Sequence, residues 1–383
     1  MALLLFDTLS GSRQSLPDGP IKLYVCGVTP YDTTHLGHAF TFVQFDVLVR
    51  ALRWLEPRRQ LTYVQNVTDI DDSILARARK LGVDWRELGD DQTARYRADM
   101  RDLNVGEPSH FVAATSAIDT MLDLIQTLVQ RGAAYPVAGG SVFYRIAATP
   151  TYGELSKLAR DEMLDIAAHQ DDADVDDPRK EDPLDFAMWK GWSGDASEPC
   201  WPSAWGAGRP GWHIECSALC FRHLGRELTI HGGGADLIFP HHESEIAQSE
   251  KATQMRPFVR TWVHTAMVRM DGEKMSKSLG NMVFVRDLLS KYSVDALRLY
   301  LLGHHYRSVV EWAPYELEAA AGLADRLSLA AREPDQGGRS VRDAFRAALE
   351  DDLNTPRAIE TLEQAAGQTL RELGGVLGLQ FTA

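Results

Sequence analysis

The hydrophobic and polar pattern along the chain changes period at a few marked places. Ile21 to Val28 is rich in β-branched and aromatic residues and is closed by Gly27 and Pro30, which predicts a buried strand. From His38 to Leu55 the apolar positions Phe42, Phe45, Val49 and Leu52 fall at helical spacing. Leu61 to Val67 predicts a second strand, followed by a helix over Ser73 to Leu81. Strand, helix, strand in this order predicts a Rossmann-type parallel sheet, whose ligands bind beyond the carboxyl ends of the strands. Asp84 to Gln130 reads as helical, Gly140 to Ile146 as a short strand, and Arg209 to Phe239 as strand and turn around Gly232, Gly233 and Gly234. Asp161 to Asp185 is dominated by Asp and Glu and reads as a solvated loop or flexible insertion. After Asp287 the pattern is that of amphipathic helices to Leu379, with one linker-like stretch, Glu333 to Arg339, containing Pro334, Gly337 and Gly338.

Composition narrows the class without changing this outline. At 383 residues and 44% hydrophobic content the chain has room for two or three domains and a sizeable core. The apolar start, Met1 to Phe6, is too short for a signal peptide and lacks its basic flank, and no apolar run reaches membrane-spanning length. A cytoplasmic protein without membrane association is expected. The net charge of −14 argues against indiscriminate nucleic-acid binding but leaves room for a local basic patch. The four cysteines, Cys26, Cys200, Cys216 and Cys220, read as thiols or metal ligands rather than a disulfide framework.

Two short motifs carry the chemistry. In His35-Leu36-Gly37-His38 a glycine allows close backbone approach to a nucleotide, and the helix that follows offers its N-terminal dipole to phosphate. Lys274-Met275-Ser276-Lys277-Ser278 lies between Gly272 and Gly280, a setting for lysines that close on pyrophosphate as charge moves onto it. Either motif alone is ordinary: a loop histidine pair, or a solvated lysine–serine run. Together, in this order, they resemble the signature pair of class I aminoacyl-tRNA synthetases, which implies ATP-dependent activation of an acid. Cys26, Cys216, His241 and Glu245 are donors suited to tetrahedral zinc, and His241 and Glu245 stand four apart, one helical turn. Their plain readings are a small core residue at Cys26 and a turn histidine at His241 or His242.

Longer stretches carry a resemblance. Tyr24-Val-Cys-Gly-Val-Thr29, Asn66-Val-Thr-Asp-Ile-Asp-Asp72, Gly211-Trp-His-Ile-Glu-Cys216, His231-Gly-Gly-Gly-Ala-Asp-Leu237, Phe239-Pro-His-His-Glu-Ser-Glu245 and Asp351-Asp-Leu-Asn-Thr-Pro356 join the two signatures in one order. That order is similar to cysteinyl-tRNA synthetase and to its paralogue, the mycothiol-biosynthesis cysteine ligase, from about Lys22 to Pro356. The resemblance implies a Rossmann-type α/β catalytic domain over 1–290, with an inserted connective region at about 87–200, and a helical region over 291–383. It implies one zinc ion on Cys26, Cys216, His241 and Glu245 that takes the substrate thiolate, with ATP and Mg2+ as the other reagents. Thr29, Thr68 and Trp212 would line the amino-acid pocket. Gly37, Gly233, Asp236 and Leu237 would hold the nucleotide, and His35, His38, Lys274 and Lys277 would act on its phosphates.

Both relatives make cysteinyl-adenylate and differ in what attacks it. Thr29-Pro-Tyr-Asp32 and a chain that stops soon after Pro356 resemble the amine ligase. Glu245 resembles the synthetase, since the ligase resemblance would lack that carboxylate, and so do His305-Tyr-Arg-Ser308 and Tyr152-Gly-Glu-Leu-Ser156. Phe111-Val-Ala-Ala-Thr115 departs from a synthetase stretch that normally carries Pro, Arg and Glu. The expectation adopted is a short-form cysteinyl-tRNA synthetase, a monomer acting on L-cysteine, ATP and tRNA(Cys). Its alternative is a ligase that joins cysteine to a glucosaminyl-inositol amine.

Overall fold

The structure is a computed structural model in which residues 3–30, 34–170, 174–195, 197–275 and 280–381 are described; the Lys274 side chain and Lys277 lie outside the described parts. Its centre is a parallel sheet of five strands: β1 (Ile21–Val28), β2 (Leu61–Val67), β3 (His110–Ala113), β4 (Leu228–Gly234) and β5 (Val259–Thr265), in spatial order β5-β4-β1-β2-β3. This is the α/β arrangement expected from the opening strand–helix–strand pattern. The order reverses between β1 and β4, so the crevice for ligands opens at the ends of those two strands.

β1 and β2 read as largely apolar runs because both faces of the sheet are covered. One cover is α1 (Leu36–Leu55), whose Phe40, Val43, Phe45 and Leu48 are buried. A side chain at Gly232 of β4 would collide with the Phe45 ring and the Val263 carbonyl, so glycine there lets α1 settle on the sheet. The helix α2 (Asp72–Leu81) follows β2 and is capped by Asp71, which accepts from the Ile74 amide at 2.9 Å. A separate antiparallel sheet is built from Ala134–Pro136, Val142–Tyr144, Phe186–Gly191 and Gly208–Pro210.

Three sequence expectations are corrected. Arg209 to Phe239 contains a full helix, α3 (Trp212–His223), hidden from a periodicity reading because most of its faces are buried and it has no polar stripe. Asp84 to Gln130 is interrupted by β3, an edge strand of four residues. Asp161 to Asp185 overlaps a helix, Arg160–Ala168, and several of its described acids have partners. Asp182 pairs with Arg160 at 2.8 Å, Asp177 with Arg179 at 2.6 Å, and buried Asp185 accepts from the Ile146 amide and the Tyr135 hydroxyl. Composition cannot reveal that such carboxylates are individually answered.

The helical C-terminal region is keyed to the sheet by a buried ion pair. Arg298, on α4 (Val294–Leu302), meets Asp46 of α1 at 2.6 Å and donates to the carbonyls of Leu103 and Leu377. Asp295 on the same helix accepts from the amides of Gln380 and Phe381, each at 2.8 Å. Truncating one partner of such a pair leaves an uncompensated buried charge, which costs about 3–5 kcal/mol. Arg298→Ala is therefore expected to lower the urea midpoint by that equivalent. A midpoint within experimental error of the parent's would show that the pair does not hold the helices to α1.

Candidate active site

The site grows from an irregularity in β1. Its pairing with β2 shifts register between Val25 and Val28, and the Gly27 amide there takes a side-chain acceptor, Asn66 Oδ1, at 2.8 Å. A bulge re-aims side chains at the end of a strand, and here Cys26 is the residue it places. A Cβ at Gly27 would overlap the Asn66 carbonyl, so only glycine fits between the two strands.

Cys216 arrives from α3, one turn after Trp212. His241 lies in a widened turn, Ile238–His242, broken by extended Phe239, and Glu245 in α5, the helix Glu243–Thr253 that continues it. All four candidate metal donors converge, with ligand atoms within 4.8 Å of one another. Cys26 Sγ is 3.6 Å from Cys216 Sγ, His241 Nε2 is 3.3 Å from Cys216 Sγ, and His241 Nε2 is 3.2 Å from Glu245 Oε1. Around a tetrahedral zinc ion with ordinary bond lengths the same edges would measure about 3.8, 3.5 and 3.3 Å. The donor set thus fits such an ion in kind and in size.

The surroundings orient these donors. His213 Nδ1 lies 3.0 Å from His241 Nδ1, which leaves His241 Nε2 facing the cluster, and the Trp212 ring stacks on His241 at 4.4 Å. His231 Nε2 is 3.1 Å from the second oxygen of Glu245. Partners of this kind fix ligand rings and carboxylates in metal centres. Burial pushes the Cys26 thiol and the Glu245 carboxyl well up and takes His213, His231 and His264 down to about 3, so the imidazoles are neutral. A second set, Cys26, His231, His242 and Glu245, is equally compact and shares two donors with the first. Sequence reading missed this layer of buried histidines; the repeated His–His and His–Gly spacing was its only trace.

The two signature motifs meet in space. His35 caps α1, its Nδ1 accepting from the Gly37 amide at 3.1 Å, and its ring stacks on His38 at 3.7 Å. The chain returning from the lysine motif docks beside it: His35 bridges Phe284, and the Leu36 amide donates to Val283 at 2.8 Å. On the other side of that motif, Val268–Met270 and Glu273–Lys274 form a hairpin, turned by Asp271 and Gly272 at positive φ.

A cavity of about 860 Å3 joins these parts. Cys26, Cys216 and His241 form part of its wall, with Thr29, Thr68 and Trp212. His35, Gly37, His38, Asp236 and Leu237 also border it, as do Met275, which follows Lys274, and Met282. Gly233 stands behind this wall, where a Cβ would press on Leu237 and His242. Glu245 reaches the cluster from the core side and is fully buried.

The remaining wall was not anticipated. It includes Asp71, Asp72, Ser73, Ala76, Arg77 and Lys80 near α2, and Arg209. Burial lifts the Asp71 carboxyl to about 6. Asp72, although burial opposes ionisation, is held low by Lys190 at 2.5 Å and by Arg209.

Residues 12–322 match the model of the family of tRNA synthetases class I (C) catalytic domain. The chain is 44% identical over 383 residues to the L-cysteine:1D-myo-inositol 2-amino-2-deoxy-alpha-D-glucopyranoside ligase of Frankia casuarinae, covering 98% of this chain and 80% of that one. It is also 44% identical to the cysteine–tRNA ligase of Alkalilimnicola ehrlichii, covering 96% and 82%. Among solved structures it resembles Mycobacterium tuberculosis methionyl-tRNA synthetase in complex with methionyl-adenylate, with a TM-score of 0.65 at 15% identity, over 93% of this chain and 82% of that one. That likeness speaks for the fold.

Proposed function

As a ligase belonging to the class I (C) tRNA synthetase catalytic-domain family, the chain has its first reaction indicated by its membership, and we propose that it activates L-cysteine with ATP and transfers the cysteinyl group to tRNA(Cys). Pyrophosphate leaves in the first step and AMP in the second. The observation that carries the reading is the convergence of Cys26, Cys216, His241 and Glu245 at the wall of the cavity that holds His35 and His38.

Zinc bound there would supply a soft Lewis acid that takes a thiolate and discriminates against serine's hydroxyl, which stays protonated. The chain's own residues do the rest. Trp212 holds the His241 ring, while Thr29 and Thr68 offer hydroxyls beside the thiol site. Asp236, at the end of β4, suits ribose hydroxyls. His35 and His38, at the start of α1, lie where phosphate oxygens gain charge, and Lys274 and Lys277 would follow that charge onto pyrophosphate with Mg2+. The same reading divides the chain into a catalytic part over 1–290, with its insertion, and a helical part after it.

Glu245 favours tRNA as acceptor, because the resemblance to the amine ligase lacks this carboxylate. The similarity to the Frankia protein and the Thr29-Pro30 stretch favour an amine acceptor as the second reading. With ATP and labelled cysteine, the protein is expected to charge tRNA(Cys) and to leave glucosaminyl-inositol unmodified. Product from the amine alone would overturn the tRNA reading while leaving cysteine activation intact.

A further inference from the structure

Cysteine and ATP account for two walls of the cavity, at β1, α3 and the β1–β4 crevice. The third wall is a helix face. Ser73, Ala76, Arg77 and Lys80 recur at the spacing that puts them on one side of α2, and all four border the cavity. Because α2 follows β2, it stands one strand beyond the crevice, on the side away from β4.

The charges on this face are uncommitted. Among the described residues Arg77 and Lys80 take part in no ion pair or hydrogen bond. The nearest carboxylate on the helix, Asp72, is engaged by Lys190 and Arg209, so it does not neutralise them. Arg79, on the other side of α2, is paired with Glu198 at 2.6 Å. In a chain of net charge −14, two unpaired cations on a catalytic cavity form a local attraction for an anion. A glucosaminyl-inositol, which carries an amine and hydroxyls but no anionic group, has no negative charge for them to answer. A phosphodiester chain does.

We propose that the Ser73–Arg77–Lys80 face of α2 is the subsite for the phosphodiester backbone at the single-stranded end of an RNA acceptor. The inference rests on the tRNA reading of the site and adds to it the residues that receive the acceptor. Ser73 supplies a hydroxyl at the inner end, and Lys80 and Arg77 grip successive phosphates further out. The terminal ribose is thereby directed toward the adenylate.

The test compares the parent protein with Arg77→Gln/Lys80→Gln and with the control Arg79→Gln. Two readouts are used: cysteine-dependent pyrophosphate exchange, and charging of tRNA(Cys) from about 50 to 200 mM salt, over which binding through phosphate contacts weakens steeply. The double variant is expected to raise the KM for tRNA about tenfold. It should also flatten the dependence of log KM on log salt by about 1.4, at about 0.7 per lost single-strand contact. Exchange should continue, which also reports an intact fold, and Arg79→Gln should charge as the parent does. An unchanged KM and salt slope in the double variant overturns the subsite and leaves the tRNA reading standing. A parent protein that exchanges pyrophosphate but charges no tRNA overturns both.

Discussion

Cys216→Ser is expected to leave the protein folded, without stoichiometric zinc, and with its preference for cysteine over serine lost. The exchange is close to isosteric in a buried position on α3, so secondary structure should persist. The donor chemistry does not. A serine hydroxyl stays protonated near neutral pH and is a poor partner for a soft metal, whereas Cys216 Sγ stands at ligand-edge distance from both Cys26 and His241. Even changes in residues that only support a metal ligand cost about 10–100-fold in affinity or activity, so loss of a ligand itself should exceed that range. Metal analysis of the purified variant, with pyrophosphate exchange on cysteine and serine, reads the result. One zinc per chain in the variant would show that Cys216 is not a ligand.

His38→Asn is expected to lower kcat for cysteine-dependent pyrophosphate exchange by about 10²–10³-fold, with the KM for cysteine nearly unchanged. Removing one preorganised donor to a developing oxyanion typically costs that much, about 2.7–4 kcal/mol. The split between kcat and KM is the informative part. The cysteine donors lie at β1, α3 and the Ile238–His242 turn, whereas His38 opens α1 and stacks on His35. A drop in kcat below threefold would remove His38 from the chemistry and make it a packing residue. A rise in KM with kcat retained would place it in substrate binding instead.

The distance between sequence and structure differs by element. β1, β2 and α2 were readable because each has a clean period, with Gly27 and Pro30 closing the first strand. α3 was not, since Trp212 to Cys220 has apolar or buried residues on nearly every face and so no stripe. The acidic stretch around Asp177 and Asp185 was misread for another reason. Its carboxylates are answered by Arg179, by Tyr135 and by a backbone amide, and such pairing leaves no mark on composition. The α2 face with Arg77 and Lys80 also escaped notice, because exposed cations on a helix are ordinary until a cavity is found beside them.

The chain's own residues, read in order, determined the class of chemistry: a histidine motif, a lysine motif and four soft or borderline donors constrain what reagents can be used. That follows from side-chain identity, which does not depend on where the chain goes. Only the tertiary structure decided that donors from β1, α3, the Ile238–His242 turn and α5 come within 4.8 Å of one another. It also decided that the stretch after the lysines docks on His35, and that α2 turns two unpaired cations toward the shared cavity. The physical reason is that these groups are separated by long stretches of chain. Their proximity is set by a parallel sheet, whose order reverses at β1, and by buried contacts such as Arg298–Asp46 that no local pattern encodes.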